Sequence, residues 1–414
     1  MKKIDPERIK NSKLWIPPLK ECEFNLKTNS WFDTEILNDN QPYRIRFAKS
    51  CTIRTKPIHL YPNIEQKKIL LEWNEIYRQV YNLTVGYLKT NKIESFISMR
   101  SIIDGIISNN TVLTKQCEKF KIPKHTRDNA IKDCLKAYKT AFANLRNKNI
   151  KHFKIRYKKK LHHLSSIVIE PQSFSKNING FAIKALGEMK SEHELKGIAK
   201  ECRLCYNSRT GIFVLRVPYE KIISKLVRSG DSCALDPGMK TFQTGYTPNN
   251  QCFKVCTTET NKQIYNLIER IENVNKDNPR HKKFLNRIRE RIRNKVKDMH
   301  YKLCNWLCRS FDRILVGNMS TKSIISKDLH LNKNTKKYCV ALSHYLFKER
   351  LKHKAEEYNC KVEIVDESYT TKTCGQCAEL NDNVGTNKVF RCGKCPFTID
   401  RDINGARNIY IKHF

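Results

Sequence analysis

The sequence is poor in acidic residues and has no long hydrophobic run. Its 414 residues include 41 Asp and Glu against 79 Lys and Arg, which gives a formal net charge of +38. No apolar run approaches the roughly 18 residues of a membrane span, and the first residues lack the apolar stretch of a signal peptide. These absences predict an intracellular protein that neither spans a membrane nor carries a secretion signal.

The basic excess indicates what kind of partner the protein binds. Positive charge at this density repels itself unless a polyanion shares the surface, which favours nucleic acid. A soluble basic protein without such a partner, and a protein bound to an anionic membrane surface, are the weaker alternatives. The length leaves room for roughly two to four domains.

Cysteine is abundant, and the missing secretion signal predicts reduced thiols rather than a disulfide framework for the 17 residues. Two Cys-x-x-Cys pairs, fourteen residues apart, have the spacing of a tetrahedral zinc site: Cys374, Cys377, Cys392 and Cys395. We expect a hairpin between the pairs to close the cage. Four thiolates leave no open position, so zinc here would be structural. A third pair, Cys202 and Cys205, lies in a predicted strand and is interpreted as structural.

The first half of the chain predicts a β-rich region that helices interrupt. Residues 1–50 show few periodic signals and are expected to be irregular. After an extended run at 53–61, Asn63 is a candidate helix N-cap that Gln66 would answer. Apolar residues then recur every three or four positions, which predicts a helix after Asn63 and another over about 125–148. Further strands, typical of a small barrel or sandwich, are predicted at 165–170, 180–184, 201–206 and 212–217.

A basic run lies between these helices and strands, at 148–163. Phe153 and Tyr157 are interleaved with six basic residues: Lys151, Lys154, Arg156, Lys158, Lys159 and Lys160. Charge with interleaved rings is typical of a groove that binds phosphates and stacks bases. A solvated basic face and a nuclear-import signal use similar residues, and both interpretations stay open.

The second half of the chain has the order of an RNase H-like nuclease core. Three strands, a long helical excursion, a fourth strand, a helix and a fifth strand are predicted, with the strands at 233–236, 240–246, 252–257, 313–317 and 361–366. One helix of the excursion, 285–299, has one apolar face. Its other faces are basic and are expected to meet solvent or phosphate, through residues that include Arg287, Arg291 and Lys295.

Strand ends converge in this fold, so carboxylates that are far apart in sequence can meet there. Three or four of them can hold two divalent ions about 3.5–4 Å apart. Mg²⁺ suits such a site because it prefers hard oxygen ligands. Asp236, at the end of the first strand, is the first candidate; a turn cap is the alternative interpretation.

Three motifs resemble the transposon-encoded TnpB nucleases and, still more, their eukaryotic and giant-virus relatives called Fanzor. They are Asp236-Pro-Gly-Met-Lys, Thr370-Thr-Lys-Thr-Cys-Gly-Gln-Cys377 and Asp400-Arg-Asp-Ile-Asn-Gly-Ala-Arg-Asn-Ile409. The resemblance implies an α/β multidomain protein: an RNase H-like (RuvC) nuclease core with an inserted zinc ribbon, preceded by a wedge-like β-barrel with an inserted helical bundle.

The domains that the resemblance implies fall at definite places in this sequence. They are an N-terminal extension at 1–50, the β-barrel at 51–62 and 149–228, a helical recognition bundle at 63–148, the RuvC nuclease domain at 229–369 and 399–414, and the zinc ribbon at 370–398.

The chain departs from TnpB proteins at one position of the implied active site. Those proteins end their fourth strand with a catalytic Glu, where this chain reads Val316-Gly-Asn-Met319. Fanzor proteins are similar in lacking that Glu and in having one before the zinc knuckle, which implies Glu367 as a metal ligand. Asp402 matches the family's catalytic Asp. The implied catalytic set is therefore Asp236, Glu367 and Asp402, holding Mg²⁺.

Neighbouring polar residues have simpler interpretations. Asp366 is interpreted as a turn residue and Glu363 as a strand surface charge. Asp400 is a candidate cap or supporting residue for the terminal helix. Asn404 and Asn408 are expected to hydrogen-bond around the site without a catalytic role.

The resemblance implies RNA-guided, Mg²⁺-dependent DNA cleavage, licensed by a short flanking motif and encoded by a transposon-type element. The implied partners are guide RNA and target DNA, in a monomeric ribonucleoprotein. The expected location is the nucleus of a eukaryotic host, or the protein is encoded by a giant virus. A nuclease-inactive nucleic-acid-binding or transposition regulatory protein of the same fold, and a guide-independent DNase, are the alternatives.

Overall fold

The chain forms two compact units. The computed structural model describes residues 4–10, 20–23, 51–160, 163–223, 231–255, 259–275, 277–326, 331–385 and 387–414. One unit consists of Ile53–Lys221, and the other consists of Ile222–Phe414 with the two short N-terminal segments. The rest of the predicted N-terminal extension, and the last two residues of the strand predicted at 252–257, lie outside the described residues.

The expectation of an irregular N-terminus is wrong for its two described segments. Pro6–Lys10 is a short helix, α1, and Lys20–Glu23 is a strand, β1. The strand pairs in parallel with Gln251–Val255, at the edge of the larger sheet. Its sequence, Lys-Glu-Cys-Glu, has no pattern that predicts a strand. An edge strand can still form there, because backbone hydrogen bonds to the neighbouring strand can hold it without help from its side chains.

The unit of residues 53–221 combines four strands with four principal helices. In chain order these are β2 (Cys51–Leu60), α2 (Ile64–Tyr87), α3 (Phe96–Ser108), α4 (Thr111–Lys119), α5 (Lys124–Arg146), β3 (Leu164–Ile169), a short α6 (Ile183–Leu186), β4 (Cys202–Asn207) and β5 (Ile212–Ile222). The strands form one sheet in the order β2-β5-β4-β3, so a closed barrel stays a prediction. Cys202 and Cys205 lie in β4 as expected.

The prediction of a strand at 180–184 is wrong. Phe181 makes a single antiparallel bridge to Phe174, and the helix α6 follows at once. Phe181 is fully buried. The apolar residues at 180–184 therefore mark a buried loop and not a strand. A short apolar run by itself does not distinguish these two structures.

The predicted start of α2 is confirmed in atomic detail. The Asn63 side chain accepts from the Gln66 amide at 2.8 Å, and the Gln66 side chain accepts from the Asn63 amide at 3.0 Å, which completes a capping box. The predicted apolar stripe of the helix supplies core residues, among them Trp73, Ile76 and Val80, all fully buried. Burial of this stripe against α5 and the sheet holds the unit together.

The unit of residues 222–414 follows the predicted succession of elements. In chain order they are β6 (Ser232–Pro237), β7 (Gln243–Tyr246), β8 (Gln251–Val255), α7 (Glu259–Glu272), α8 (Lys282–Ser310), β9 (Arg313–Gly317), α9 (Thr321–Ile324), α10 (Lys333–Leu342), α11 (His344–Tyr358), β10 (Lys361–Val365), β11 (Val389–Arg391), β12 (Thr398–Asp400) and α12 (Arg401–His413).

The larger sheet of this unit has helices on both faces. Its strand order is β1-β8-β7-β6-β9-β10, with β6, β9 and β10 parallel to one another. Cys233, Leu235 and Ile314 pack with α8 and α11, whereas Ala234 and Leu315 pack with α12. This alternation is the two-residue period of strands that are buried on both faces.

No helix in the described parts of the chain combines the length and the apolar character that a membrane crossing requires.

The capping box predicts a measurable cost on substitution. Asn63→Ala should lower the free energy of unfolding by about 1 kcal/mol, because the Gln66 amide in the first turn of α2 loses its side-chain acceptor. Urea denaturation measures this cost. Lys67→Ala, at an exposed position in the same turn, is the control and should change it by less than about 0.5 kcal/mol. An equal effect of both variants would contradict the role of the cap.

Candidate active site and metal centre

Three acidic side chains from distant parts of the sequence line one cleft of about 310 Å³. Asp236 lies near the end of β6, Glu367 follows β10 by two residues, and Asp402 lies in the first turn of α12. The strands β6, β9 and β10 are parallel, so their carboxyl ends share one edge of the sheet, and ligands bind at such edges. The structure therefore brings together the three predicted ligands, whose catalytic roles stay predictions.

The environment of Asp236 disfavours its negative charge. Burial raises its pKa well above the usual range, the carboxylates of Glu367 and Asp402 raise it further, and Arg401 opposes them. The backbone of α12 comes so close to Asp236 that a Cβ at Gly405 would lie 2.5 Å from Asp236 Oδ2. Only glycine permits this approach of the helix to the carboxylate.

The position of Glu367 depends on a glycine at the end of β9. A Cβ at Gly317 would overlap Glu367 Oε2 and would lie 2.8 Å from Pro237 Cδ. Gly317 falls in the Val316–Met319 segment, at which the sequence departs from the pattern that the resemblance implies. The carboxylate of Glu367 thus occupies space that a side chain at the end of β9 would fill.

The carboxylate of Glu367 lies in surroundings that disfavour its negative charge. Burial raises its pKa to about 7, although Lys348 acts in the opposite direction. Its Oε2 is buried and has no hydrogen-bond partner among the described residues. Such an orphaned oxygen is costly unless an ion or water satisfies it. Three carboxylates around one cleft supply the hard oxygen ligands that Mg²⁺ prefers, although their oxygens are not gathered as closely as the four cysteine sulfurs.

Contacts on both sides hold the turn that carries Glu367. The Thr370 hydroxyl donates to the Glu367 carbonyl at 2.7 Å. Asn408 Nδ2, on α12, donates to the Thr370 carbonyl at 2.8 Å. On the strand side, Lys348 Nζ donates to Asn318 Oδ1 at 3.4 Å and is almost fully buried. The terminal helix therefore positions Glu367 as well as carrying Asp402.

The competing carboxylates have other partners. Asp366 Oδ1 accepts from the Ser368 hydroxyl at 2.6 Å, and its Oδ2 pairs with Lys412 at 2.9 Å, which together hold the pKa of Asp366 at about 2. Glu363 pairs with Arg313 at 2.7 Å across β10 and β9. Asp400 accepts from the amides of Asp402 and Ile403 and so caps α12. These placements agree with a turn residue, a strand surface charge and a helix cap.

The four predicted zinc ligands form a tight cluster. Cys374, Cys377, Cys392 and Cys395 have all their Sγ atoms within 4.8 Å of one another, with one pair at 3.5 Å and another at 3.7 Å. Zn–S bonds of 2.3 Å in a tetrahedron place sulfurs about 3.8 Å apart, so the cluster could bind zinc. Among the described residues, no other group of three potential ligands is as compact.

The hairpin of this cluster differs in position from the prediction. The antiparallel strands β11 and β12 flank the second cysteine pair, so only β11 lies between the two pairs. The segment between the pairs makes one isolated bridge, Thr373 to Leu380. Three-residue strands are set by their pairing in the folded chain, which the spacing of the cysteines does not specify.

The helix α12 fastens the cysteine cluster to the cleft. Asn404 accepts from the Gly375 amide at 3.2 Å and donates to the Thr373 carbonyl at 2.8 Å. Asn408 donates to the same Thr373 carbonyl at 2.8 Å, and the buried Arg407 donates to the Gly375 carbonyl. The two asparagines thus make the expected hydrogen bonds around the site.

One residue of the predicted basic run is half-buried. The Lys158 ammonium lies 3.9 Å from the centre of the Tyr81 ring, and its backbone amide donates to Asn82 Oδ1 at 2.8 Å. Burial lowers the pKa of Lys158. It anchors the run to α2, and its contact with nucleic acid stays a prediction. The remaining five basic residues are exposed: Lys151, Lys154, Arg156, Lys159 and Lys160.

The rings of this run and the basic face of α8 are also partly engaged. Phe153 packs edge-on against Phe142, with ring centres 4.9 Å apart, so it is less available for base stacking. On α8, Arg287 and Arg291 are exposed, whereas Lys295 Nζ donates to Gln263 Oε1 at 2.6 Å. Contact of these residues with nucleic acid stays a prediction.

Three functional features escaped the sequence analysis. Arg401 lies between two candidate acidic residues, and its neighbourhood gave no signal for a separate role. The clearance at Gly317 depends on the path of a segment fifty residues later in the chain. Lys348 lies on the buried face of α11. The sequence gives no sign of this, because a lysine in an amphipathic helix is normally predicted to be at the surface.

Comparison with known proteins finds one matching family model and several relatives. The family model described as "Cas12f1-like, TNB domain" matches residues 344–409, which include the four cysteines, Glu367 and Asp402. Two TnpB-like proteins of Acanthamoeba polyphaga mimivirus are each 30% identical to this chain; one match covers 98% of this chain and 87% of the relative, the other 95% and 85%. A cryo-EM structure of a Cas12f1-sgRNA-target DNA complex covers 86% of this chain and 98% of its own, at 14% identity and a TM-score of 0.30.

The two mimivirus relatives define the class as TnpB-like proteins, and the family model adds a Cas12f1-like TNB domain over residues 344–409. The chain belongs to the TnpB-like protein family. The predicted resemblance is therefore confirmed, and relatives occur in giant viruses. A nuclear location stays a prediction.

The clearance at Gly317 predicts a steric cost that depends on Glu367. Gly317→Ala should lower the free energy of unfolding by about 1–3 kcal/mol, because the new methyl group overlaps the Glu367 carboxylate and meets the Pro237 ring. Urea denaturation measures the cost, which should shrink in a Glu367→Ala background. Gly105→Ala is the control, since a Cβ there meets nothing within 4 Å. An unchanged cost in the double variant would contradict the overlap.

Proposed function

We propose that this protein is an RNA-guided DNA endonuclease that hydrolyses phosphodiester bonds in an Mg²⁺-dependent, RuvC-type site of an RNase H-like fold. The observation that carries the proposal is the cleft in which Asp236, Glu367 and Asp402 meet, with one buried oxygen of Glu367 unpartnered. Membership of the TnpB-like family supports a nuclease of this class.

The three carboxylates would hold the ions and orient them against the DNA backbone. Bound Mg²⁺ would activate the attacking water and stabilise the leaving oxygen. The chain's own contribution is to keep three acidic groups in one half-buried cleft against their mutual repulsion. Lys348 supplies a buried positive charge behind Glu367, and the turn contacts of Thr370 and Asn408 fix the Glu367 backbone.

The guide RNA and the target DNA are the proposed partners. The exposed part of the basic run and the exposed arginines of α8 would contact phosphates, while base pairing between RNA and DNA would supply sequence specificity. The formal charge of +38 agrees with polyanionic partners of this size.

The cysteine cluster is proposed to hold a structural zinc ion. Four thiolates complete a tetrahedron and leave no position for substrate. Because Asn404, Asn408 and Arg407 bond the first cysteine turn to α12, the ion would stabilise the helix that carries Asp402.

Cleavage assays test the enzymatic proposal. The protein is purified from cells that carry its native locus, the RNA that accompanies it is sequenced, and matching DNA is offered with Mg²⁺. The wild type should cut. Asp236→Ala and Glu367→Gln should reduce the rate by about 10²–10⁴-fold, because each removes a metal ligand. Glu349→Gln, at a surface carboxylate paired with Lys352, is the control and should cut normally.

The alternatives give different outcomes. A wild type that binds nucleic acid but never cuts with its RNA and Mg²⁺ would favour a nuclease-inactive binding protein. Cleavage that proceeds equally well without RNA would favour a guide-independent DNase. A Glu367→Gln variant as active as the wild type would remove Glu367 from the metal site.

The zinc proposal makes a separate prediction. Cys374→Ser should lower the bound zinc below one ion per chain and lower the melting temperature by roughly 5–15 °C, because loss of a structural ion costs several kcal/mol. Elemental analysis and thermal unfolding measure these changes. Cys205→Ser, in β4, is the matched control and should retain zinc. Full zinc content and normal stability in Cys374→Ser would contradict the assignment.

A further inference from the structure

One basic residue faces the acidic cleft, and none of the roles described so far accounts for it. Of the described residues that line the cleft, Arg401 alone carries a positive charge, beside Asp236, Glu367 and Asp402. Its side chain is 27% exposed, so it borders solvent as well as protein. If the cleft receives a phosphate, as proposed, that phosphate is the natural ligand of the Arg401 guanidinium.

The guanidinium of Arg401 is held from two sides. Its Nη2 donates to Asp402 Oδ1 at 3.3 Å, and its Nη1 donates to the Gly385 carbonyl, in the segment that links the two cysteine pairs, at 3.1 Å. The Arg401 amide donates to the Lys388 carbonyl at 2.7 Å. The cysteine-rich segment therefore fixes the direction of this side chain at the cleft.

These contacts leave donors to spare. A guanidinium has five N–H donors, and two of them are used in the contacts with Asp402 and Gly385. Arg401 Nε is buried and has no acceptor within the described parts of the chain. A buried donor without an acceptor destabilises a structure, and the planar fork of a guanidinium matches two oxygens of a phosphate.

We propose that Arg401 is a further catalytic residue, which contacts a non-bridging oxygen of the phosphate being cut. This role rests on the proposed endonuclease function. In the hydrolysis, the oxygen of water adds to phosphorus, one P–O bond to a deoxyribose breaks, and the leaving oxygen takes up a proton. Arg401 donates hydrogen bonds to the phosphate as charge develops on it and transfers no proton.

A purely positioning role would have a different signature. If Arg401 only restrained Asp402, its loss would change the Mg²⁺ concentration at which cleavage is half-maximal, and saturating Mg²⁺ would restore the rate. A phosphate contact instead affects the rate at saturating Mg²⁺, because the donor that stabilises the transition state is missing.

The experiment compares Arg401→Gln and Arg401→Lys with the wild-type ribonucleoprotein. Single-turnover cleavage is measured across an Mg²⁺ titration, and binding of target DNA is measured in an Asp236→Ala background with and without Arg401→Gln. Arg391→Gln, at an exposed position on β11, makes the same chemical change outside the cleft and is the control. Zinc content and thermal unfolding establish that each variant is folded.

Arg401→Gln should cut about 10²–10³-fold more slowly at saturating Mg²⁺, as expected for one lost transition-state donor, while DNA binding changes less than about tenfold. Arg401→Lys should recover part of the rate, and Arg391→Gln should cut like the wild type. A rate within about threefold of wild type, or one that high Mg²⁺ restores, would overturn the proposed contact. A wild type that never cuts would instead overturn the endonuclease function itself, so the two failures are distinguishable.

Discussion

Mutual repulsion among three carboxylates is the constraint around which the larger unit is built. Asp236, Glu367 and Asp402 come from a strand end, a turn and a helix start, and burial of Asp236 makes their proximity costly. The surrounding structure offsets that cost with two kinds of support. Buried Lys348 and partly exposed Arg401 supply positive charge, and hydrogen bonds from α12 keep the backbone from relaxing outward.

The relation between Gly317 and Glu367 shows how one space in the cleft can be filled from either of two segments. The end of β9 and the turn after β10 lie side by side, because the two strands are parallel neighbours. A carboxylate from either segment can reach the same space. Here Gly317 removes a side chain from one segment, and Glu367 fills the space from the other.

The terminal helix α12 connects the acidic cleft to the cysteine cluster. Its first turn carries Asp402 and is capped by Asp400, and Asn404 and Asn408 bond the backbone of the first cysteine turn. Arg401 is held in turn by a carbonyl of the same cysteine-rich segment. A disturbance of the cysteine cluster would therefore reach the cleft through short, direct contacts, without a change in the sheet.

Several features could be predicted from the sequence because each has a local cause. The cysteine spacing, the capping box at Asn63, the apolar stripes of α2 and α8 and the succession of strands all depend on residues close together in the chain. Family motifs added Glu367 and Asp402 as candidates. The tertiary structure alone decided the rest: β1 as an edge strand, Lys158 turned onto Tyr81, the clearance at Gly317 and the cation Arg401 within the cleft. Each of these depends on contacts between segments far apart in sequence, and local sequence patterns do not determine such contacts.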